Sequence, residues 1–373
     1  MDMNEIMSFE KLYESMWKCK KGVGWKDSVM AFCLRGIERT LQLEDELKSN
    51  TYQPKAPVAF RITNPKPRDI ISISFRDRVY QRSLNDNAIY PIMTHSFIYD
   101  NWACQKGKGT LKCKERLKEF LRRYYRHFGA EGYVLQCDIH GYYPNMLHDK
   151  AESAFREKLP HDIAEAAVRI LRDQYSGDIG YNPGSQMIQI AGISLLDKLD
   201  HFIKEQLHVR YYLRYMDDFI LIHSDKEYLE HCKAVIRNEI GKLGFTFNEK
   251  KTRVFPLSDG VMFLGFRFFL SGTGKVTALI DPRKVKAERK KLRRLVAKCK
   301  RGDLPCECVE ASYQCWRQHA SYGDSHKLLK RMDEYYTSLW RDGNEFRNQD
   351  QNQRGTADRG NEPSHRGTEK DHC

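Results

Sequence analysis

No apolar run in this chain approaches the roughly 20 residues that cross a bilayer, so no membrane span is expected. The opening Met1-Asp2-Met3-Asn4-Glu5 lacks a charged lead followed by a long apolar core, which argues against a secretory signal. No internal repeats are visible either. The 11 cysteines make no framework of a small secreted domain. Most of them, such as Cys33, Cys137 and Cys232, stand alone in apolar surroundings, and reduced thiols in a cytoplasm are the expectation. Cys299, Cys306, Cys308 and Cys315 with His319 could bind zinc, but their spacing fits no common zinc pattern and the segment reads as helix. Lys106-Gly107-Lys108-Gly109-Thr110 lacks the spacing of a P-loop. After Trp340 apolar residues almost vanish, and a tail of Asn, Gln, Arg, Gly, Asp and Glu cannot bury enough surface to offset its ordering entropy.

What is present is basic. Lysine and arginine number 63 against 50 acids, a net charge of +13 and a pI near 9.1. A chain with that surplus expects a polyanionic partner, because each neutralised phosphate releases counterions. The charge clusters. Lys284, Lys286, Arg289, Lys290, Lys291, Arg293, Arg294, Lys298, Lys300 and Arg301 crowd one helical segment whose apolar stripe is Val285, Leu292, Leu295 and Val296. A second segment runs from Lys106 through Arg126, with Leu117, Phe120, Leu121, Tyr124 and Tyr125 as its core side. The glycines at its start would let backbone amides approach a phosphate.

Carboxylates supply the chemistry. Tyr215-Met216-Asp217-Asp218 interrupts an aromatic and β-branched run, Tyr211 to Arg214 before it and Phe219 to Ile222 after it. Such flanks favour paired strands, and the short polar break favours a hairpin turn that lifts both acids to the sheet's edge. By itself an Asp-Asp turn is as readily a solvated loop. A third acid decides the matter: the buried-strand run Gly132 to Cys137 ends at Asp138. Magnesium prefers hard oxygen ligands and takes only one or two protein carboxylates per ion. Three aspartates on two neighbouring strands would hold two ions about 4 Å apart, the arrangement that serves in-line nucleotidyl transfer.

In that order the motifs closely resemble those of the reverse transcriptase family, over roughly residues 8–340. Asp138 with Tyr142 and Tyr143 resembles the family's motif A, and Tyr215 to Asp218 its YxDD motif C. Gly244 to Thr252 is similar to motif D, and Val261 to Phe266 to the primer grip. Pro65-Lys66-Pro67-Arg68 with Phe75 to Arg82 resembles the fingers motif of bacterial retroelement enzymes. The resemblance implies a right-hand polymerase fold of fingers, palm and thumb, α+β with a mostly antiparallel palm sheet. It also implies that Asp138, Asp217, Asp218 and the Ile139 carbonyl hold two Mg2+ ions, with Mn2+ as the alternative metal. Lys66 and Arg68 would clasp the triphosphate. Tyr143 would pack under the sugar and exclude a ribose 2′-hydroxyl, although an ordinary core aromatic is its plainer reading. Lys251 would protonate the leaving pyrophosphate, or else be a solvated surface lysine.

The chain departs from the family at Asn182 to Gln189. Where most relatives carry Gln-Gly, three residues, then Ser-Pro, this chain has Pro183-Gly184 and ends in Gln189. Gly184 and Gln189 match the diversity-generating retroelement enzymes; Pro183 and Ile188 do not. A lineage linked to phage defence is an equally good home. The substrate-binding set expected here is Lys66, Arg68, Tyr143, Pro183, Gly184, Gln189 and Lys251.

The expected organisation is fingers and template-binding region over 1–130, palm over 131–272 with a helical insertion near 148–180, helical thumb over 273–341, and disordered tail over 342–373. Gln186 to Leu207 should form one long helix and Tyr228 to Leu243 another, and Asp162 is a candidate cap after a break at Pro160. No ribonuclease H, endonuclease or intron-maturase module fits in the remainder. Expected partners are an RNA template, a DNA or RNA primer and deoxynucleoside triphosphates, with a structured non-coding RNA or small basic accessory protein as further candidates and no membrane. The rival readings are a catalytically silent RNA-binding protein of polymerase fold, a palm-type RNA polymerase, and a group II intron-like reverse transcriptase.

Overall fold

The structure is a computed structural model that describes residues 2–63, 67–182 and 184–341. Lys66, Pro183 and the 342–373 tail lie outside the described residues. The chain divides into two compact units, one comprising Met1–Leu264 with Leu270–Val276, the other Gly265–Phe269 and the chain from Thr277 on.

The first unit is organised around an antiparallel sheet. Strands β1 (Val58–Ile62) and β2 (Arg68–Ser72) make a separate hairpin. Then β3 (Tyr133–Asp138), β4 (Tyr211–Tyr215), β5 (Asp218–His223) and β6 (Arg253–Pro256) form a four-stranded sheet in the order β4-β5-β3-β6. The two central strands are apolar almost throughout: Val134, Leu135 and Cys137 on β3 and Phe219 to Ile222 on β5 are buried. That pattern is expected of strands covered on both faces. One cover is the helix Lys226–Lys242, which starts where Asp225 accepts hydrogen bonds from the amides of Glu227 and Tyr228. Its Leu229, Cys232, Ile236 and Ile240, spaced three or four apart, turn inward.

Beyond the expected Gln186 start the chain departs from a single long helix. Ser185 caps the helix Gln186–Leu195 through the Ile188 amide, the chain leaves helical geometry at Leu196, and it resumes as Asp197–His201 and a π-turn at Phe202–Gln206. The bend turns two acids onto partners distant in sequence: Asp197 meets Lys158 at 2.5 Å and Asp200 meets Arg214. The insertion is two helices, His148–Lys158 and His161–Gln174, broken at Pro160 as expected. Pro160 itself holds the cap position, with no side-chain cap, so Asp162 lies inside the first turn and does not cap.

The second unit contains all but the last residue of β8 (Phe266–Leu270) and all but the first of β9 (Val276–Ile280), which follow β7 (Val261–Phe263) of the first unit, and three helices. The helix Pro282–Lys300 opens on Asp281, whose carboxylate accepts from the Arg283 amide, and buries Leu292, Val296 and Cys299. Lys284, Lys286, Arg289, Lys290, Arg293, Arg294 and Lys298 are exposed. The helices Cys306–Ser321 and His326–Arg341 pack on it through Tyr313, Met332 and Val309. Here the expectation of reduced thiols fails for one pair, within the cysteine cluster set apart as a candidate zinc site. Cys299 and Cys306 form a disulfide, because the turn between the two helices brings their Cα atoms to 5.7 Å. Cys308 and Cys315 are exposed free thiols.

Candidate active site

The hairpin expected at Tyr215 to Asp218 forms, and it is tight. Tyr215 pairs directly with Asp218, leaving only Met216 and Asp217 to turn the chain. Met216 takes φ +57°, a conformation in which two-residue turns favour Gly or Asn and which is uncommon for a long side chain. On the other side β5 pairs with β3 so that Asp218 stands directly opposite Asp138. Two strands thus end on acids at one edge, and the turn adds a third.

These carboxylates are closely placed and poorly solvated. Asp138 is buried, and Asp217 and Asp218 are half-buried. Burial, reinforced by Asp138, raises the pKa of Asp217. Burial with the charges of Asp217 and Asp138 pushes Asp218 up to about 7. Lys251 offsets part of this charge, its Nζ donating to Asp138 Oδ1 at 2.8 Å, and that contact raises the lysine's own pKa. The Asp138 backbone is held as well, its amide donating to Thr252 Oγ1 at 3.1 Å and its carbonyl accepting from the Asn248 amide at 2.8 Å. Residues 244–252 therefore fix both the main chain and the side chain of the first acid.

Among the described residues no three His, Cys, Asp or Glu side chains converge into a ready-made ligand shell, and Asp138 is turned to its lysine. The donor set nevertheless fits a hard divalent cation. It offers carboxylate oxygens only, and their crowding is costly without positive charge between them. Asp138, Asp217 and Asp218 would be its ligands. Ile139 is 1 % exposed and bridges to Phe247, with its carbonyl in the same segment.

The other expected residues distribute as follows. Tyr142 is buried and donates its hydroxyl to the Gly192 carbonyl. Tyr143 lies edge-on to it with ring centroids 5.5 Å apart, and a Cβ on Gly192 would sit 3.1 Å from the Tyr143 hydroxyl. That hydroxyl is buried with no hydrogen-bond partner, and burial drives its pKa far up. Gln189 approaches the turn through an intermediary: Cys104 Sγ lies 3.6 Å from Gln189 Oε1 and 3.7 Å from Met216 Sδ. Cys104 gave no sign of this in the sequence, where it is one residue of an unpatterned loop. Gly184 abuts β2, and a side chain there would press on the Ile71 carbonyl at 3.3 Å. Beside it a cavity of about 480 Å³ is walled by Phe60, Ile70 to Ile73, Ser185 to Met187 and the cations Lys18, Lys21, Lys26, Arg78 and Arg82. None of the three aspartates lies on its wall. Arg68 is exposed at the start of β2. Lys108 turns inward to donate to the Tyr99 and Asn101 carbonyls, at 2.8 and 2.7 Å, so the lysine of that glycine loop is occupied by its own backbone.

Comparison with known proteins now bears on this geometry. The reverse transcriptase (RNA-dependent DNA polymerase) family matches residues 54–268, more than half of the chain and all three aspartates. The chain belongs to the reverse transcriptase family. Its helices and antiparallel sheet are those of the right-hand polymerase fold. Among solved structures, apo telomerase from Candida tropicalis truncated from its C-terminal domain aligns at 14% identity and TM-score 0.45, over 65% of this chain and 60% of that one. Telomerase from Candida albicans with a TWJ fragment of telomeric RNA aligns at 12% and 0.45, over 70% and 55%. The Sicinivirus 3Dpol RNA-dependent RNA polymerase aligns at 14% and 0.38, over 62% and 50%. The chain spans about 60% or less of the length of these structures. No curated protein matches it significantly.

Proposed function

We propose that this chain is an RNA-directed DNA polymerase acting by two-metal-ion nucleotidyl transfer. The observation that carries the reading is the register that sets Asp138 opposite Asp218, beside Asp217, at one sheet edge within the family-matched segment. Bound Mg2+, or Mn2+, would supply Lewis-acid stabilisation of the charge that develops on the attacking and leaving oxygens. Asp138, Asp217, Asp218 and the Ile139 carbonyl would hold the ions, and Lys251 steadies Asp138. Lys66 and Arg68 take the triphosphate. Tyr143, closely backed by Gly192, floors the sugar and disfavours a ribose 2′-hydroxyl by shape. Gly184 and Gln189 face the nucleotide and template, with Pro183 in place of the Gln that most relatives carry.

In this reading fingers occupy 1–130, palm 131–272 and thumb 273–341. The exposed cations of the Pro282–Lys300 helix meet the backbone of an A-like duplex, which is held by shape and charge rather than by sequence. The partners are an RNA template, a primer and deoxynucleoside triphosphates. The setting we favour is a bacterial retroelement or an antiphage system, in a cytoplasm; a template and variable repeat pair beside the gene would favour diversification, and phage-resistance neighbours would favour defence.

The test is primer extension on an RNA template with Mg2+, comparing deoxynucleotides with ribonucleotides. Extension with deoxynucleotides that is lost in Asp217→Asn, while template–primer binding is kept, supports the reading. Preference for ribonucleotides would move the chain to the RNA polymerases. An inert parent that still binds RNA would make it a silent scaffold.

A further inference from the structure

A charged pair is sealed behind the catalytic turn. Arg214 and Asp200 both have fully buried side chains, and Arg214 is among the largest fully buried side chains of the described residues. The guanidinium donates from Nε and Nη2 to the two Asp200 oxygens, at 2.7 and 2.5 Å. Tyr212 donates its hydroxyl to the same carboxylate. The remaining reach of the fork goes to two backbone carbonyls: Nη1 to Met216 at 2.9 Å and Nη2 to Ile193 at 3.0 Å.

Both carbonyls matter. Met216 is the positive-φ residue that turns the chain into Asp217 and Asp218, so its peptide oxygen reports where those acids stand. Ile193 lies in the Gln186–Leu195 helix, next to Gly192, whose carbonyl takes the Tyr142 hydroxyl. One planar cation therefore joins the catalytic turn to the helix that also backs Tyr142 and Tyr143. Lysine, a single point donor, could not span the same set of acceptors.

Stability alone does not call for this pair. Removing two charges from water is expensive, and apolar side chains of similar volume usually fill such a site at no loss of stability. What apolar side chains cannot do is hold the Met216 carbonyl in a given direction.

We infer that Arg214, braced by Asp200, is a positioning residue for nucleotidyl transfer: it fixes the catalytic turn against the Gln186–Leu195 helix so that Asp217 and Asp218 present their oxygens in register with Asp138. This rests on the polymerase reading of the site. It separates two roles that single substitutions confuse, because removing one partner strands a buried charge and unfolds the site.

The decisive variant replaces both partners, Arg214→Met with Asp200→Leu. Its thermal melting should lie above that of either single variant, below the parent's by what the unpartnered Tyr212 hydroxyl and the two freed carbonyls cost. Its kcat should fall about 100-fold, the scale of a misplacement near 1 Å, while the KM for deoxynucleotide changes by less than about threefold. Mn2+ titration followed by electron paramagnetic resonance, which needs no turnover, should show weaker binding. Recovery of both stability and kcat in the double variant would overturn the inference and make the pair a packing element. Should the double variant fail to fold, Arg214→Lys keeps the charge and loses the fork; an unchanged kcat and unchanged Mn2+ affinity there would equally overturn it. An inert parent would refute the polymerase reading instead, while the Mn2+ comparison still tests whether Arg214 positions the acids.

Discussion

Replacing Asp218 by Asn should make the metal-free protein more stable at pH 8 while abolishing activity. In the fold Asp218 carries a pKa of about 7 against an ordinary 3.8, because it is buried beside Asp217 and Asp138. A carboxyl that binds its proton more tightly when folded stabilises the fold while protonated. That contribution is full below about pH 4, falls as pH rises toward 7, and is gone above it. At roughly 1.4 kcal/mol per pH unit the ceiling is about 4 kcal/mol. Sharing of the charge with Asp217 and partial solvation reduce this to about 1–3 kcal/mol. The asparagine isostere removes the titration, so in EDTA the variant should exceed the parent by that amount at pH 8 and by much less at pH 5. Titrating groups remote from the three acids cancel in the difference. Urea unfolding of both proteins at the two pH values, followed by a fluorescence probe of the first unit, measures it directly. Adding Mg2+ at pH 8 should stabilise the parent more than the variant. A variant no more stable than the parent at pH 8 without metal, or parallel stabilities across the range, would refute the claim that the three acids repel one another in the folded protein.

Three further outcomes are expected. Tyr143→Ala should admit ribonucleotides, lowering the deoxy-to-ribo ratio of kcat/KM at least about tenfold, or about 1.4 kcal/mol; an unchanged ratio with activity retained would shift the gate to Tyr142. Copying of RNA should be error-prone because Pro183 offers no side-chain amide, and Pro183→Gln should tighten discrimination by roughly 1 to a few kcal/mol in sequenced cDNA. An error rate unmoved by the substitution would credit Gln189 or Gln186 with that contact. Lys290→Ala and Arg294→Ala, both exposed on the Pro282–Lys300 helix, should each reduce the slope of log affinity against log salt by about 1 for an RNA–DNA duplex if each contacts a phosphate; slopes equal to the parent's would remove that helix from the duplex-binding surface.

Legibility divided along the reach of the interactions involved. Where order is imposed by neighbours in the chain, the residues were sufficient. The apolar run ending at Asp138 is a strand, the aromatic flanks of Met216-Asp217 are a hairpin, and the 3.6-residue stripes of Lys226–Lys242 and Pro282–Lys300 are helices with Asp caps. Boundaries failed where a distant partner intervened. The long helix from Gln186 bends at Leu196, where Asp197 and Asp200 turn to Lys158 and Arg214, and periodicity carries no mark of either partner.

The order of the three aspartates and the residue types around them were determined by the sequence itself, since carboxylate chemistry and strand propensity are local properties. Their register, which sets Asp138 against Asp218, was left to the tertiary structure. So were the pairing of Lys251 with Asp138 across 113 residues, the Cys104 contact with Met216, the Cys299–Cys306 disulfide, and the sealing of Arg214 on Asp200. The physical reason is the same in each case. An unfolded chain solvates each charge and thiol independently, and only burial, by removing water, makes the choice of partner decide the energy.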